Sequence, residues 1–434
     1  MLREKDKLMT QVLAARAGRI TPEMEMVANR ESVDIEVIQT GVASGKIVIP
    51  KNVKRKEFNC CGIGQGLRIK VNTLIGTSSD RDNIEMEARK LAVAQEAGAD
   101  AVMDLSTGGD IDGMRRQTLA QANVAVGSVP IYQCGVEAIE KRGSVVAMTE
   151  KDMFEAVEKQ AEEGVDFMAI HCALNFDVIK RLKISGRVTD VVSRGGAFLT
   201  GWMLHNNKEN PLYEQFDRLL EILKRYDVTL SLGDAIRPGS TADSLDGAQL
   251  MGMIIGGELV ARAQAAGVQV MVEGPGHVPM HHVRPTMLLQ KRLCNGAPYF
   301  VLGTLATDIA PGYDHITSAI GGAIAGAAGA DFICNVTPAE HLGLPTEQDV
   351  KDGIIAARIA AHAADLARGN KQALSRDLQM AKARVALDLD RQIGLSIYHE
   401  KISANGGNGD GSHSCAVCGP QCAAQVAAKY FGIA

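Results

Sequence analysis

The sequence is poor in most of the features that assign a chain quickly. It has one tryptophan, 4% aromatic residues, 13 prolines and nine cysteines in 434 residues. Nine is odd and far too sparse for a disulfide-stapled scaffold, so the cysteines are expected to be core residues, metal ligands or redox groups in a reducing cytoplasm. No apolar run reaches the roughly 18 residues of a membrane span; the Ala/Gly stretch at 321–330 comes nearest. The opening MLREKDKLMT is too charged for a secretory signal. Positive charge is not in excess: 46 Lys and Arg against 51 Asp and Glu give −5, which offers no footprint for a nucleic-acid partner. No G-x-G-x-x-G follows a predicted strand, so a dinucleotide fold lacks its fingerprint. What the chain does have is 46% hydrophobic residues, too many for disorder and enough for a large core.

From about Gly66 short apolar runs alternate with longer helical patterns. The runs are 67–74, 101–104, 129–132, 166–171, 189–193, 228–233, 268–273, 299–303 and 331–336. Helical segments between them end repeatedly in glycine just before the next run, as in EAGAD, EEGVD, AAGVQ and GAGAD. This βαβα alternation predicts a parallel sheet covered by helices, and a length near 250 residues suits a (β/α)8 barrel. Nine runs compete for eight places, and 189–193 is the weakest because the Gly-rich SRGG follows with no helix gap of ordinary length. The expected organisation is an N-terminal cap at 1–65, with a helix over Arg3–Arg16 and another starting at Thr21-Pro22. The barrel follows at 66–345 and a helical extension at 346–400, with helices over 353–369 and 373–394. A Gly-rich tether at 405–413 leads into a cysteine-rich tail within 401–434.

Two groups of residues carry chemistry. Cys415-x2-Cys418-x3-Cys422 puts three thiolates within eight residues. They suit a 4Fe–4S cluster with one iron left open for a substrate or cofactor, or a zinc ion with His413 as fourth ligand. The other six cysteines (60, 61, 134, 172, 294, 334) lack metal spacing. The second group is polar and falls at predicted strand ends: Asp104, Tyr132, His171, Ser193-Arg194-Gly195, Asp234, Arg237, Glu273, His277 and His341. A barrel projects all of these toward one face. Arg, Ser and Gly together suit an anion, so a phosphorylated substrate is expected. His277 and His341 could share a divalent metal. A zinc-dependent barrel hydrolase with an inert tail remains open on these residues alone.

The blocks MDLSTGGD (103–110), VPIYQ (129–133), SRGG (193–196), SLGDAIRPGS (231–240), VQVMVEGPGHVPMH (268–281), TDIAPGYDHITSAIGGA (307–323) and VTPAEHLGLP (336–345) together resemble the phosphomethylpyrimidine synthase family. Its members are radical S-adenosylmethionine enzymes of thiamin pyrimidine biosynthesis. The resemblance implies a (β/α)8 barrel in a homodimer, with a mobile tail closing over the partner subunit's site. It places Met103, Tyr132, His171, Ser193, Arg194, Gly195, Asp234, Arg237 and Glu273 on the substrate 5-aminoimidazole ribotide. It also places His277 and His341 on a divalent metal, usually zinc, and the three tail cysteines on a 4Fe–4S cluster that cleaves S-adenosylmethionine. An electron donor such as ferredoxin or flavodoxin is implied, and no nucleic acid or membrane.

The chain departs from that family where it matters chemically. Leu74 stands where the family has a substrate-contacting Asn, Phe300 where it has Tyr, Ala235-Ile236 interrupt the usual D-G-L-R, and the cysteine motif is one residue short. Two polar contacts turned apolar, with anion and metal residues retained, imply the same substrate steered to another product. That pattern resembles the sister family of anaerobic 5-hydroxybenzimidazole synthases, which supply the lower ligand of certain cobamides; phosphomethylpyrimidine synthesis is the runner-up. If the tail holds a cluster, protein purified without oxygen is brown, and Cys418→Ala loses both the colour and 5′-deoxyadenosine formation. Turnover unchanged by that substitution would remove the cluster assignment.

Overall fold

The structure is a computed structural model that describes residues 9–56, 58–400 and 421–431. The chain divides into two compact units, the first ending at Ala364 and the second beginning at Asp365. In the first unit a small antiparallel pair, β1 (Ile47–Val48) and β2 (Ile63–Gly64), precedes eight parallel strands. These are β3 (Lys70–Ile75), β4 (Ala101–Asp104), β5 (Ala125–Ser128), β6 (Phe167–Ile170), β7 (Thr229–Leu232), β8 (Val270–Gly274), β9 (Tyr299–Leu302) and β10 (Phe332–Cys334). They close in the order β10-β3-β4-β5-β6-β7-β8-β9, with helices between them, so the (β/α)8 barrel is confirmed.

The glycine-before-strand pattern has a local cause. Gly98, Gly164 and Gly329 follow the helices Ile84–Glu96, Glu150–Glu163 and Asp314–Ala328 with φ of +88°, +107° and +142°, a region glycine enters without steric cost. Two residues on, Asp100, Asp166 and Asp331 reach sideways to the strand before. Their carboxylates accept the amides of Val71, Val126 and Tyr299 at 2.9, 2.8 and 3.0 Å. In these three βα repeats the chain thus stops its helix and stitches its strand to the preceding one with three residues. Gln269, which follows Gly267, instead binds the backbone of Ile49 on both sides, accepting at 2.7 Å and donating at 3.1 Å.

The N-terminal helices Gln11–Arg16, Pro22–Glu31 and Ile35–Ala43 sit beneath this rim, since their partners lie just ahead of the strands. The Gln11 amide donates to Asp227, the Asn52 amide to Asp166, and the Thr10 hydroxyl to the Gly267 carbonyl. Thr21 caps the second helix with Pro22 in its first turn, as expected. The first helix is described only from Gln11, because Thr10 caps it; residues 3–8 lie outside the described residues.

Two predicted strands are corrected. The run 129–132 is the beginning of the helix Pro130–Arg142, and the strand lies four residues earlier at 125–128. Pro130 has no amide to give a sheet and its fixed φ suits a helix start. The run 189–193 is irregular and ends in Ser193, which caps the helix Arg194–Asn206 by accepting the Gly196 amide at 3.2 Å. In the second unit the expected helix 373–394 is two, Lys371–Val385 and Leu389–Leu395. Leu387 turns left-handed at φ +56°, and Asp388 caps a new start by accepting the Arg391 amide at 2.9 Å. The tether 405–413 lies outside the described residues. No helix among the described residues is long and apolar enough to cross a membrane.

Inside the barrel, Phe332 from β10 meets Phe167 from β6, the strand diametrically opposite, at 6.3 Å between ring centroids. It also stacks on Phe300 at 4.2 Å. Rings from opposite walls meet only across the interior, so this layer plugs the barrel. Gly127 on β5 makes room for it, because a Cβ there would lie 2.3 Å from the Phe167 ring. Gly127→Val is therefore expected to overpack the interior and cost at least about 1–3 kcal/mol in unfolding free energy, read by denaturant titration. Gly252→Ala, in open space on the helix Gly247–Ala266, is the control and stays neutral or gains about 0.5–1 kcal/mol.

Candidate functional site

Above the aromatic plug the C-terminal end of the barrel opens into a cavity of about 510 Å3, counting its mouth. Seven of the sequence-predicted residues line it: Leu74, Met103, Tyr132, His171, Arg237, Glu273 and Phe300. The wall has two characters. Leu74 on β3, Met103 on β4 and Phe300 on β9 make an apolar side, while His171, Arg237 and Glu273, at the ends of β6, β7 and β8, make a polar one. Tyr132 arrives from the first turn of its helix rather than from a strand. Cys334 also lines the cavity and accepts from Asn72 Nδ2 at 3.3 Å. It had no metal spacing to reveal it.

The polar side is electrostatically tense. Burial pushes the Glu273 carboxyl up to about 7; Arg237 pulls against this, and nearby Asp234 adds to it. The Ser231 hydroxyl donates to Glu273 at 2.9 Å. His171 is driven down to about 3, first by burial and then by the Arg237 charge, so it is a neutral imidazole throughout the working range. Its Nδ1 is buried and has no hydrogen-bond partner among the described residues. Gly195 closes over the ring, where a Cβ would lie 2.4 Å away. Among the described residues the Arg237 guanidinium donates no hydrogen bond, although it lines the cavity. An unpaired guanidinium beside a neutral histidine and an apolar wall is a strong attractor for an anion.

The other predicted substrate residues sit beside the cavity rather than in its lining. The Arg194 guanidinium lies over the Tyr132 ring at 4.9 Å from its centroid. Ser193 and Gly195 begin a 13-residue helix whose first amides lack intrahelical partners, apart from the Gly196 amide taken by Ser193. Asp234 faces a small adjoining cavity that it shares with Glu273, Gln290 and Tyr299, and burial raises it to about 6 against the pull of Arg237. Asp104 turns away from the cavity and accepts from its own loop, from the Ser106 amide at 3.0 Å and hydroxyl at 2.5 Å.

His277 and His341 come together, with ring centroids 5.2 Å apart. His277 Nδ1 lies 2.8 Å from Asp308 Oδ1, and His341 Nδ1 lies 3.0 Å from Asp314 Oδ1. A carboxylate can only accept, so each Nδ1 carries a proton, and in the neutral ring Nε2 is the nitrogen that offers a lone pair. Asp308 is itself held by the amide and hydroxyl of Thr241, both at 2.8 Å. Carboxylate-oriented imidazoles with free Nε2 atoms fit a divalent ion. No group of three or more candidate ligands is found among the described residues. Sequence reasoning missed Asp308 and Asp314 as orienting residues, although both stand in the TDIAPGYD block.

Of the tail cysteines, Cys415 and Cys418 lie outside the described residues. Cys422 is half-buried, pairs with no cysteine among the described residues, and directly precedes the helix Ala423–Phe431. The six other cysteines are buried, with thiols pushed by burial up to about 11 for Cys60 and about 12 for the rest. They stay protonated and make poor cluster ligands.

Comparison with known proteins adds an independent line. The radical SAM ThiC family matches residues 10–429. The chain is 74% identical over 427 residues to the 5-hydroxybenzimidazole synthase BzaB of Moorella thermoacetica, covering 98% of this chain and all of that protein. It is 60% identical to the BzaB of Eubacterium limosum, again over 98% of this chain and all of that protein. It is 58% identical to the phosphomethylpyrimidine synthase of the same Moorella over 426 residues, 98% of this chain and 99% of that protein.

The Glu273 carboxyl has a sign that stability can read. Its value rises from 4.5 to about 7 on folding, so between those pH values the folded state holds a proton that the unfolded state has lost. Its stabilising contribution is full below 4.5 and is lost as the pH climbs through 7. Glu273→Gln is expected to flatten the fall in Tm of the ligand-free protein between pH 4.5 and 7. An unchanged slope would contradict the buried-carboxyl assignment.

Proposed function

The chain belongs to the radical SAM ThiC family, and from that membership we propose that it is a 5-hydroxybenzimidazole synthase. In this reading it converts 5-aminoimidazole ribotide to 5-hydroxybenzimidazole for the lower ligand of cobamides under anaerobic conditions. The observation that carries the choice within the family is the pairing of full-length similarity with the cavity wall. Identity is 74% to a 5-hydroxybenzimidazole synthase and 58% to a phosphomethylpyrimidine synthase from one organism. Leu74 and Phe300 line the cavity where the thiamin enzymes carry Asn and Tyr.

Cys415, Cys418 and Cys422 would hold a 4Fe–4S cluster, which with S-adenosylmethionine would supply the radical chemistry that takes hydrogen from a ribose carbon. The chain's own residues bind and orient. Arg237 and the helix start at Ser193-Arg194-Gly195 take the phosphate. The neutral His171 can donate or accept at the aminoimidazole. Glu273, poised near 7, can hold or release a proton there. Leu74, Met103 and Phe300 keep water from the ring face, where a reactive radical must be shielded. His277 and His341 would hold a divalent ion, zinc by preference, through their Nε2 atoms. A homodimer in which the tail closes the partner subunit's site, a low-potential ferredoxin or flavodoxin as donor, and a cytoplasmic setting complete the reading.

Anaerobic incubation with aminoimidazole ribotide, S-adenosylmethionine and a reductant, with products separated by mass, tests it. A hydroxybenzimidazole is expected. A phosphomethylpyrimidine would transfer the chain to the thiamin activity, and colourless protein that forms no deoxyadenosine would favour a zinc hydrolase. Leu74→Asn with Phe300→Tyr is expected to lower hydroxybenzimidazole formed per deoxyadenosine at least tenfold. Unpaired polar groups facing the apolar wall cost about 1–3 kcal/mol.

A further inference from the structure

We infer that Arg187 is a positioning residue that sets the spacing between the two halves of the anion site; the inference rests on the substrate reading above. Arg187 lies in the irregular segment between the helices Phe176–Ser185 and Arg194–Asn206, and its side chain is 1% exposed. All five of its N–H donors are engaged. Nε and one Nη2 hydrogen donate to the two oxygens of Asp246 at 2.8 and 2.7 Å. Nη2 also donates to the Ile236 carbonyl at 2.7 Å, and Nη1 to the carbonyls of Arg237 at 3.4 Å and Asp190 at 3.2 Å. One guanidinium thus grips the backbone of the loop that carries Arg237 and the backbone of the segment that leads into Ser193.

Independent contacts press the same two segments together. A Cβ on Gly196 would lie 2.2 Å from the Ala235 carbonyl oxygen, and one on Gly239 would lie 2.1 Å from Val192. Asp243, just beyond the Arg237 loop, accepts the Val188 and Thr189 amides at 2.8 and 3.1 Å and the Thr189 hydroxyl at 2.5 Å. The Arg237 guanidinium itself makes no hydrogen bond among the described residues, so its backbone anchor is what aims it. A planar five-donor fork is needed to hold a carboxylate and three carbonyls at once. A lysine ammonium keeps the charge but has only three donors on one atom.

The test compares binding of aminoimidazole ribotide, measured by calorimetry, with amide exchange at 190–196 and 233–240 in the full chain. Arg187→Lys is expected to weaken binding at least tenfold and to speed exchange in both segments. Asp246→Asn, which keeps a side chain able to cap the following helix, is expected to act in the same direction if Arg187→Lys does not fold. Arg187→Lys in the Arg237→Gln background should cost no further affinity, because the clamp acts through Arg237. Binding within twofold of wild type, exchange unchanged, or a loss that simply adds to that of Arg237→Gln would each overturn the inference. Wild-type protein that does not bind aminoimidazole ribotide overturns the substrate reading instead; the exchange comparison then decides the clamp alone, with faster exchange in both segments upholding it.

Discussion

The barrel depends on a sideways hydrogen bond made at its N-terminal rim by a carboxylate just ahead of a strand. Asp100, Asp166 and Asp331 each tie a strand to the one before it through an amide of that strand. These carboxylates are buried, and the burial is not equally compensated. Burial pushes Asp166 up to about 7 even with Arg55 beside it, while at Asp100 burial is outweighed by Arg68 together with Lys70 and the Val71 amide, which hold it low. Buried acceptors are tolerated because strand amides would otherwise go unpaired at the rim, a cost comparable to a lost hydrogen bond each. With the lower rim fixed this way, the upper rim is free to carry side chains chosen for chemistry.

At that upper end the polar and apolar walls have different duties, and each sharpens the other. A low-polarity wall of Leu74, Met103 and Phe300 raises the energetic weight of every charge opposite it. Burial there keeps His171 neutral and Glu273 poised near 7, and among the described residues Arg237 has no counter-ion in hydrogen-bond contact. Such an arrangement is costly without a ligand, and an anion beside Arg237 would relieve it. Phe300 belongs to both layers, stacking on the Phe332 plug below and facing the cavity above. Its identity therefore bears on packing as well as on selectivity, unlike that of Leu74.

Much of this was legible in the sequence because it is written in local, repeated signals. The Gly-x-Asp endings announced the βα units, and seven of the candidate substrate residues line one cavity. The two misplaced strands share one physical origin. Residues 129–132 and 189–193 have strand-like composition, but Pro130 and Ser193 are helix-starting residues, and the helix that follows decides the conformation. Orienting groups such as Asp308, Asp314 and Arg187 were invisible for another reason. Asp308 and Asp314 act on His277 and His341, 31 and 27 residues away, and Arg187 meets Asp246 59 residues away, so nothing in the local sequence marks these roles.

Closure of the barrel has a consequence for how the chain is made. β3 pairs with β10, so the first barrel strand, starting at Lys70, must wait for residues up to Cys334 before its second edge is covered. At roughly 5–20 residues per second of synthesis, that edge stays open on the order of tens of seconds. Open strand edges recruit other chains, and charge at the edge is the usual deterrent. β3 begins with Lys70, whose ammonium pairs with Glu31 at 2.9 Å, and Glu31 also accepts the Arg68 amide at 2.9 Å. Every partner in that contact has been translated before the second barrel strand exists. The N-terminal cap can thus chaperone the first strand while the ribosome is still making the last.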